Sequence, residues 1–173
     1  MRRIFAMLLC LPLLAVPAPR RAKYVALTFD DGPSGRYTRR LLDGLAEREV
    51  PATFLLCGYR MRDYPQETLR IFSEGHEIGC HGFSHRKMDG LSRRDIGAEI
   101  SDMLSLLPPG ARVTFLRPPG GCCSEAVRQV AQAKGLAILS WSVDPRDWAS
   151  HDPSSIEKNV LDKVSDGDII LLH

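Results

Sequence analysis

The chain has no apolar stretch of the ~20 residues that an ordinary membrane span requires. The run Ile4 to Val16, thirteen residues long, falls short of it. Neither sign of charge is in excess: 23 Lys and Arg stand against 21 Asp and Glu, mixed along the chain, and the net +2 leaves no basic stripe on which a nucleic acid could lie. Internal repeats, low-complexity tracts and linker-like segments are missing too. A length of 173 residues with 44% hydrophobic content therefore reads as one globular domain with an ordinary core. Acidic residues are absent before Asp30. That absence makes Met1-Arg2-Arg3 and the apolar run after it resemble the charged and hydrophobic regions of a secretory signal. A cut after Ala18 puts Val16 and Ala18 at the small-residue positions, with Pro17 and Pro19 beside them. Residues 1–18 are thus expected to be a signal peptide or a short retained N-terminal anchor, and the protein to be secreted or tethered at the cell surface. Cys10 follows Leu9 rather than a small residue and does not read as a lipoprotein site.

If that segment is removed, Cys57, Cys80, Cys122 and Cys123 remain, and are expected in an oxidising or cell-surface compartment. Cys57 and Cys80 each end an expected strand and could pair. The neighbours Cys122 and Cys123 could form only a strained bridge, and free, buried or partly buried thiols are the alternative for all of them.

What the chain does have is an alternation of short apolar runs with helical patterns. Val25, Leu27 and Phe29 alternate with Tyr24, Ala26 and Thr28 at the period of a strand, which breaks at Gly32-Pro33. Leu41, Leu42, Leu45 and Ala46 form one face of a helix, and Ala52 to Cys57 is the next strand. Leu69 and Phe72 are expected to face inward on a helix stopped by Gly75, followed by a strand from His76 to Cys80. Ser92 and Asp95 open a helix striped by Ile96, Ile100, Met103, Leu104 and Leu107. Val113 to Leu116 is a fourth strand, Ser124 caps a helix closed by Gly135, and Leu136 to Val143 is a fifth strand. Ser154 and Glu157 resemble a capping box before the last strand, Ile169 to Leu172. Such alternation argues for an α/β fold of parallel strands with right-handed crossovers, either a barrel or an open sheet; six strands are few for a closed barrel.

The unusual polar groups fall just after these strands: Asp30 and Asp31, His81 and His85, Arg117, Asp144 and Asp147, and His173. In parallel barrels the carboxyl-end face is where active sites form, so these positions are expected to converge. Two adjacent carboxylates raise each other's pKa and call for a cation, a metal or a proton, unless they belong to a plain solvated turn. His81 and His85 have i,i+4 spacing, which on a helical turn would put both imidazoles on one face. Two His and one Asp with coordination positions left open make a catalytic rather than a structural metal site, and also match the facial triad of non-haem iron oxygenases.

The order of T-F-D-D-G-P at Thr28 to Pro33, H-G-F-S-H at His81 to His85, R-P-P-G-G at Arg117 to Gly121, D-P-R-D-W at Asp144 to Trp148 and L-L-H at Leu171 to His173 resembles the polysaccharide deacetylases of the NodB-homology type, carbohydrate esterase family 4. The likeness covers residues 22–173. It implies a distorted (β/α) barrel in which Asp31, His81 and His85 hold a divalent metal, usually zinc. It also implies Asp30 as general base oriented by Arg117, and His173 as general acid supported by Asp147. Trp148 and Leu171 would line a pocket for the acetyl methyl, and the Gly120 N–H would help hold the oxyanion. The implied activity is removal of N-acetyl groups from N-acetylglucosamine-type polysaccharide, peptidoglycan first. A wall-binding protein without turnover and an O-acetyl xylan esterase are the alternatives. Gly120 stands where the family often has a bulky residue, with Cys122-Cys123 following. Relatives continue past the last His with a further helix and strand, so the barrel is expected to be incomplete at its carboxyl end.

Overall fold

In the computed structural model, which describes residues 22–150 and 152–173, strand and helix alternate from Ala26 onward; the expected signal or anchor lies outside the described residues. The elements are β1 (Ala26–Asp30), α1 (Gly35–Glu47), β2 (Thr53–Leu56), α2 (Gly58–Asp63), α3 (Pro65–Ser73), β3 (Glu77–Cys80), α4 (Arg93–Leu104), β4 (Phe115–Leu116), α5 (Glu125–Ala133), β5 (Ala137–Ile138), α6 (Pro153–Leu161) and β6 (Ile169–Leu172). All strand pairs are parallel, in the order β5-β4-β3-β2-β1-β6. Among the described residues no helix is long and apolar enough to cross a membrane.

The core lies between the outer face of this sheet and the helices. Phe54, Leu56, Ile78 and Leu116 from the strands meet Leu42, Ile71 and the α4 stripe Ile96, Ile100 and Met103, the last three fully buried. Each such side chain contributes about 1.5–3 kcal/mol by leaving water. On α3 the buried positions are Glu67, Thr68 and Ile71, and Phe72 packs against the core as expected, while Leu69 is exposed. Ser92 caps α4 by accepting from the Asp95 N–H, and Ser124 caps α5 by accepting from that of Val127. The cap of α6 is Asp152 rather than Ser154: its carboxylate accepts from the Ser154 and Ser155 amides, which a charged acceptor at a helix N-terminus does better than a hydroxyl one turn inside it.

The other face of the sheet curls around an interior. The register aligns Thr28 with Thr53 and Glu77, and Asp30 with Leu55 and Gly79, so these residues point inward together. On β1 it is the polar parity, Thr28 and Asp30, that is buried, whereas Leu27 and Phe29 are only partly buried against the outer core. A Cβ at Gly79 would stand 2.3 Å from Leu55 Cδ1, so a side chain there would have to displace the buried Leu55.

The strand expected over Leu136 to Val143 is split. Ala137 and Ile138 pair with β4, while Val143 bridges to Ile170 of β6 at the opposite edge of the sheet. Ser142 and Val143 donate to the Ile169 carbonyl, and Leu171 donates to that of Val143. One length of chain thus joins the two edges, and a continuous strand could not pair with both. The result is a six-stranded half-barrel drawn into a distorted ring.

Candidate metal and catalytic centre

Arg117 fills the gap that the split strand leaves. It follows β4, is fully buried, and spends its guanidinium on four acceptors: the Leu139 carbonyl at 3.2 Å, the Ser140 carbonyl at 3.1 Å, Thr28 Oγ1 at 2.9 Å and Asp30 Oδ1 at 2.6 Å. Thr28 passes its own hydroxyl proton on to the Ile170 carbonyl at 2.6 Å. A buried arginine is tolerable only when paired and hydrogen-bonded in this way. The pairing fixes Asp30 at the carboxyl end of β1, 7% exposed. Burial pushes its carboxyl above the ordinary value, opposed by His81 and Arg117.

Asp31, at φ 71°, turns away from its neighbour towards the two histidines. Its Oδ1 lies 3.3 Å from His81 Nε2 and 3.0 Å from His85 Nε2, and no donor satisfies that buried oxygen. His81 Nδ1 sits 2.7 Å from the Arg117 carbonyl, so in the neutral ring it carries the proton and Nε2 presents a lone pair. A doubly protonated His81 would instead donate to Asp31, and that contact, with burial opposing it, holds the Asp31 carboxyl below its usual range. With Nε2 of both imidazoles unprotonated, three acceptors face one point, within 4.8 Å of one another, an arrangement that a shared cation resolves. The histidine whose other nitrogen donates to a backbone carbonyl is the usual pattern of a metal ligand. The donor set therefore fits a divalent metal.

Residues 81–85 are not the expected helical turn. They form a loop with Gly82 at φ 81° and His85 at φ 60°, and the rings meet because the chain folds back, their centroids 5.2 Å apart. Cys57 and Cys80 are both free. Cys80 belongs to the outer core, its thiol pushed up to about 12 by burial, while Cys57 directs its thiol to the His81 carbonyl. Consecutive positions along neighbouring strands thus aim the two sulfurs apart.

On the far side of Asp30 stands His173. Its backbone N–H donates to Asp147 Oδ2 at 2.6 Å, and its Nδ1 lies 2.8 Å from Asp147 Oδ1. The hydrogen bond with Asp147 raises the His173 pKa against the opposing effect of burial. Burial would raise the Asp147 carboxyl, but the hydrogen bonds from His173 outweigh it and hold the carboxyl low. A cavity of about 400 Å³ is lined by Asp30, Asp31, His81, His85, Gly120, Gly121, Trp141, Asp144, Trp148, Leu171 and His173. Trp148 is 61% exposed with Arg146 over its ring, so it forms an open wall and takes no part in the core. A second cavity of about 400 Å³, walled by Tyr37 and Arg60, shares Asp30, Asp31 and His173 with the first.

The sequence-model of the polysaccharide deacetylase family matches residues 18–139. The chain belongs to that family. It is 40% identical over 155 residues to a chitooligosaccharide deacetylase of Sinorhizobium fredii, covering 88% of this chain and 72% of the relative. To a peptidoglycan-N-acetylglucosamine deacetylase of Bacillus cereus it is 37% identical over 158 residues, covering 90% and 74%. Among solved structures, that of the peptidoglycan deacetylase PdaC from Bacillus subtilis superimposes with a TM-score of 0.83 at 34% identity, covering 88% of this chain and 75% of that one.

Within the deacetylase several residues of the centre carry no signal in the motif strings. Trp141 lies against Gly121, where a Cβ would come 2.5 Å from its ring, and its indole lies 5.5 Å from the Arg117 guanidinium carbon. Thr28 opens the T-F-D-D-G-P string, but its bond to Arg117 is not read from that string. Glu99 does leave a trace: it occupies the i+3 position of the Ile96-Ile100-Met103 stripe, where an apolar residue is expected.

Proposed function

We propose that this deacetylase removes N-acetyl groups from N-acetylglucosamine-type polysaccharide, with peptidoglycan as the first candidate, and that it works at the cell surface or outside the cell. The observation that carries the reading is the unsatisfied Asp31 oxygen facing two imidazole nitrogens, beside a second carboxylate that is engaged elsewhere. Asp31, His81 and His85 are the residues that would hold the metal, zinc by preference. A divalent ion bound there supplies Lewis acidity to the acetamide carbonyl and lowers the pKa of water towards neutrality.

The chain's own residues then divide the proton work. Asp30, kept off the metal by Arg117, accepts the proton of the attacking water as its oxygen bonds to the acetyl carbon. As the C–N bond breaks, His173 Nε2 delivers a proton to the departing amine, while Asp147 holds Nδ1 and keeps the ring cationic. Leu171, Trp148 and Trp141 enclose the acetyl side of the cavity, and the Gly120 N–H serves the carbonyl oxygen. The Arg117–Asp30 pair has no task in an oxygenase or in simple wall binding, which favours hydrolysis. Asp30→Asn is expected to retain zinc and lose acetate release from peptidoglycan by on the order of 10²–10⁴-fold. Unchanged release would remove Asp30 from the role of base.

A further inference from the structure

We infer that Glu99 is a positioning residue for the loop that carries the two histidines, and that it sets how tightly Asp31, His81 and His85 hold an ion. The inference rests on the metal reading of that triad. Glu99 comes from the middle of α4 and is 8% exposed. Its Oε2 accepts the Phe83 and Ser84 amides, each at 2.8 Å, and its Oε1 accepts the Ser84 hydroxyl at 2.5 Å. All three donors belong to consecutive residues lying between His81 and His85. A carboxylate this deeply placed costs several kcal/mol in lost hydration unless donors surround it, so Glu99 is satisfied only when the loop takes this one conformation.

The opposite side of the loop is held from the start of α2 and the residue before it, where the Cys57 thiol meets the His81 carbonyl. The Gly58 amide donates to the Gly82 carbonyl and the Tyr59 amide to that of Phe83, both at 2.9 Å. The loop is therefore clamped between α2 and α4, and Glu99 supplies the α4 side of that clamp. Gly82 of H-G-F-S-H suits this packing: at φ 81°, a Cβ would stand 2.8 Å from Met88 Cε and 3.2 Å from Glu99 Oε2. The two histidines depend on the clamp unequally. His81 is buried and fixed independently through Nδ1 to the Arg117 carbonyl. His85 has a side chain 43% exposed and a left-handed backbone directly after Ser84, so the orientation of its ring towards Asp31 follows from the two amides that Glu99 holds.

The test measures zinc affinity by competition with a chromophoric chelator, on metal-stripped protein whose fold is checked by circular dichroism. Glu99→Ala is expected to weaken binding by about 10–100-fold. Ser84→Ala, which removes one of the three donors, should weaken it by a smaller factor and serves as the test variant if Glu99→Ala does not fold. Because Glu99 acts through His85, adding either substitution to His85→Ala should cost little more than His85→Ala alone. A general loosening of the fold would add its full cost in both backgrounds. Parent protein that binds no zinc would overturn the metal reading itself. Parent that binds, with a folded Glu99→Ala or Ser84→Ala variant within twofold of it, would overturn the role of Glu99 alone, as would full additivity with His85→Ala.

Discussion

Asp30 and Asp31 share a peptide bond yet meet opposite electrostatic fates, because the chain turns into the left-handed region at Asp31 and separates their carboxylates. One is buried with Arg117 and titrates above its ordinary range; the other faces the imidazoles and titrates below it. That division, more than the adjacency of two acids, is what the proposed roles require, since one would hold a cation while the other stays free for a proton. The same reasoning applies to His173 and Asp147. His173 is raised above 6.5, so its acid form persists until pH climbs through that higher value. Asp147→Asn removes the largest cause of the rise, and the alkaline limb of the kcat–pH profile should move to lower pH, with KM little changed. Stability follows the same signs. The His173 contribution is complete below 6.5 and disappears as pH rises through its folded value, while the Asp147 contribution is complete above 3.8 and disappears as pH falls through its depressed value. The stability difference between parent and Asp147→Asn, measured by urea unfolding, should therefore be widest between pH 3.8 and 6.5 and shrink on either side. An alkaline limb that stays in place would detach Asp147 from the acid.

At the scale of elements, glycines carry much of the site's geometry. Gly121, at φ 72°, brings the backbone against the Trp141 ring. Gly121→Ala would force a methyl to 2.5 Å from that ring in a backbone conformation that alanine resists. Overpacking of this kind costs about 1–3 kcal/mol. The expected result is a lowered unfolding midpoint together with a raised KM, since Trp141 walls the cavity; a midpoint and KM equal to those of the parent would refute it. Element existence was legible in the sequence wherever one face of a periodic run met the outer core, as on α4 with Ile96, Ile100 and Met103. Legibility failed where tertiary structure overrode local pattern. The i,i+4 histidines read as a helical turn because spacing cannot report the φ of Gly82 or His85. The run Leu136 to Val143 read as one strand because hydropathy cannot show that its two ends pair with opposite edges of the sheet. Most of the polar residues that converge at the centre were visible because they end or follow a strand, as Asp30, His81, Arg117 and His173 do, while Trp141 was hidden because its place depends on Gly121, distant in the chain.

Among the described residues the apolar core packs outside the sheet, and the charged groups of the centre lie within its curl. Thr28, Asp30 and Arg117 occupy the inside of the ring, so the free energy of folding comes from the apolar core and the centre is a cost that paired charges must offset. The triad adds a further demand, since Asp31 follows β1 whereas His81 and His85 follow β3, with β2 between them. A cation shared by the three would tie segments 50 residues apart in the chain and relieve the unsatisfied Asp31 oxygen at the same time. Binding to the folded state alone stabilises by mass action, about 4 kcal/mol at a thousandfold excess over Kd. For a domain of this size each kcal/mol moves Tm by about 2–4 °C, so removing zinc with a chelator from such a solution should lower Tm by about 8–16 °C. Asp31→Ala, which leaves the Arg117–Asp30 pair in place, should abolish the zinc-dependent shift while keeping the metal-free Tm within a few degrees of the parent. A parent Tm that does not respond to zinc or chelator would mean that the three side chains converge without binding an ion.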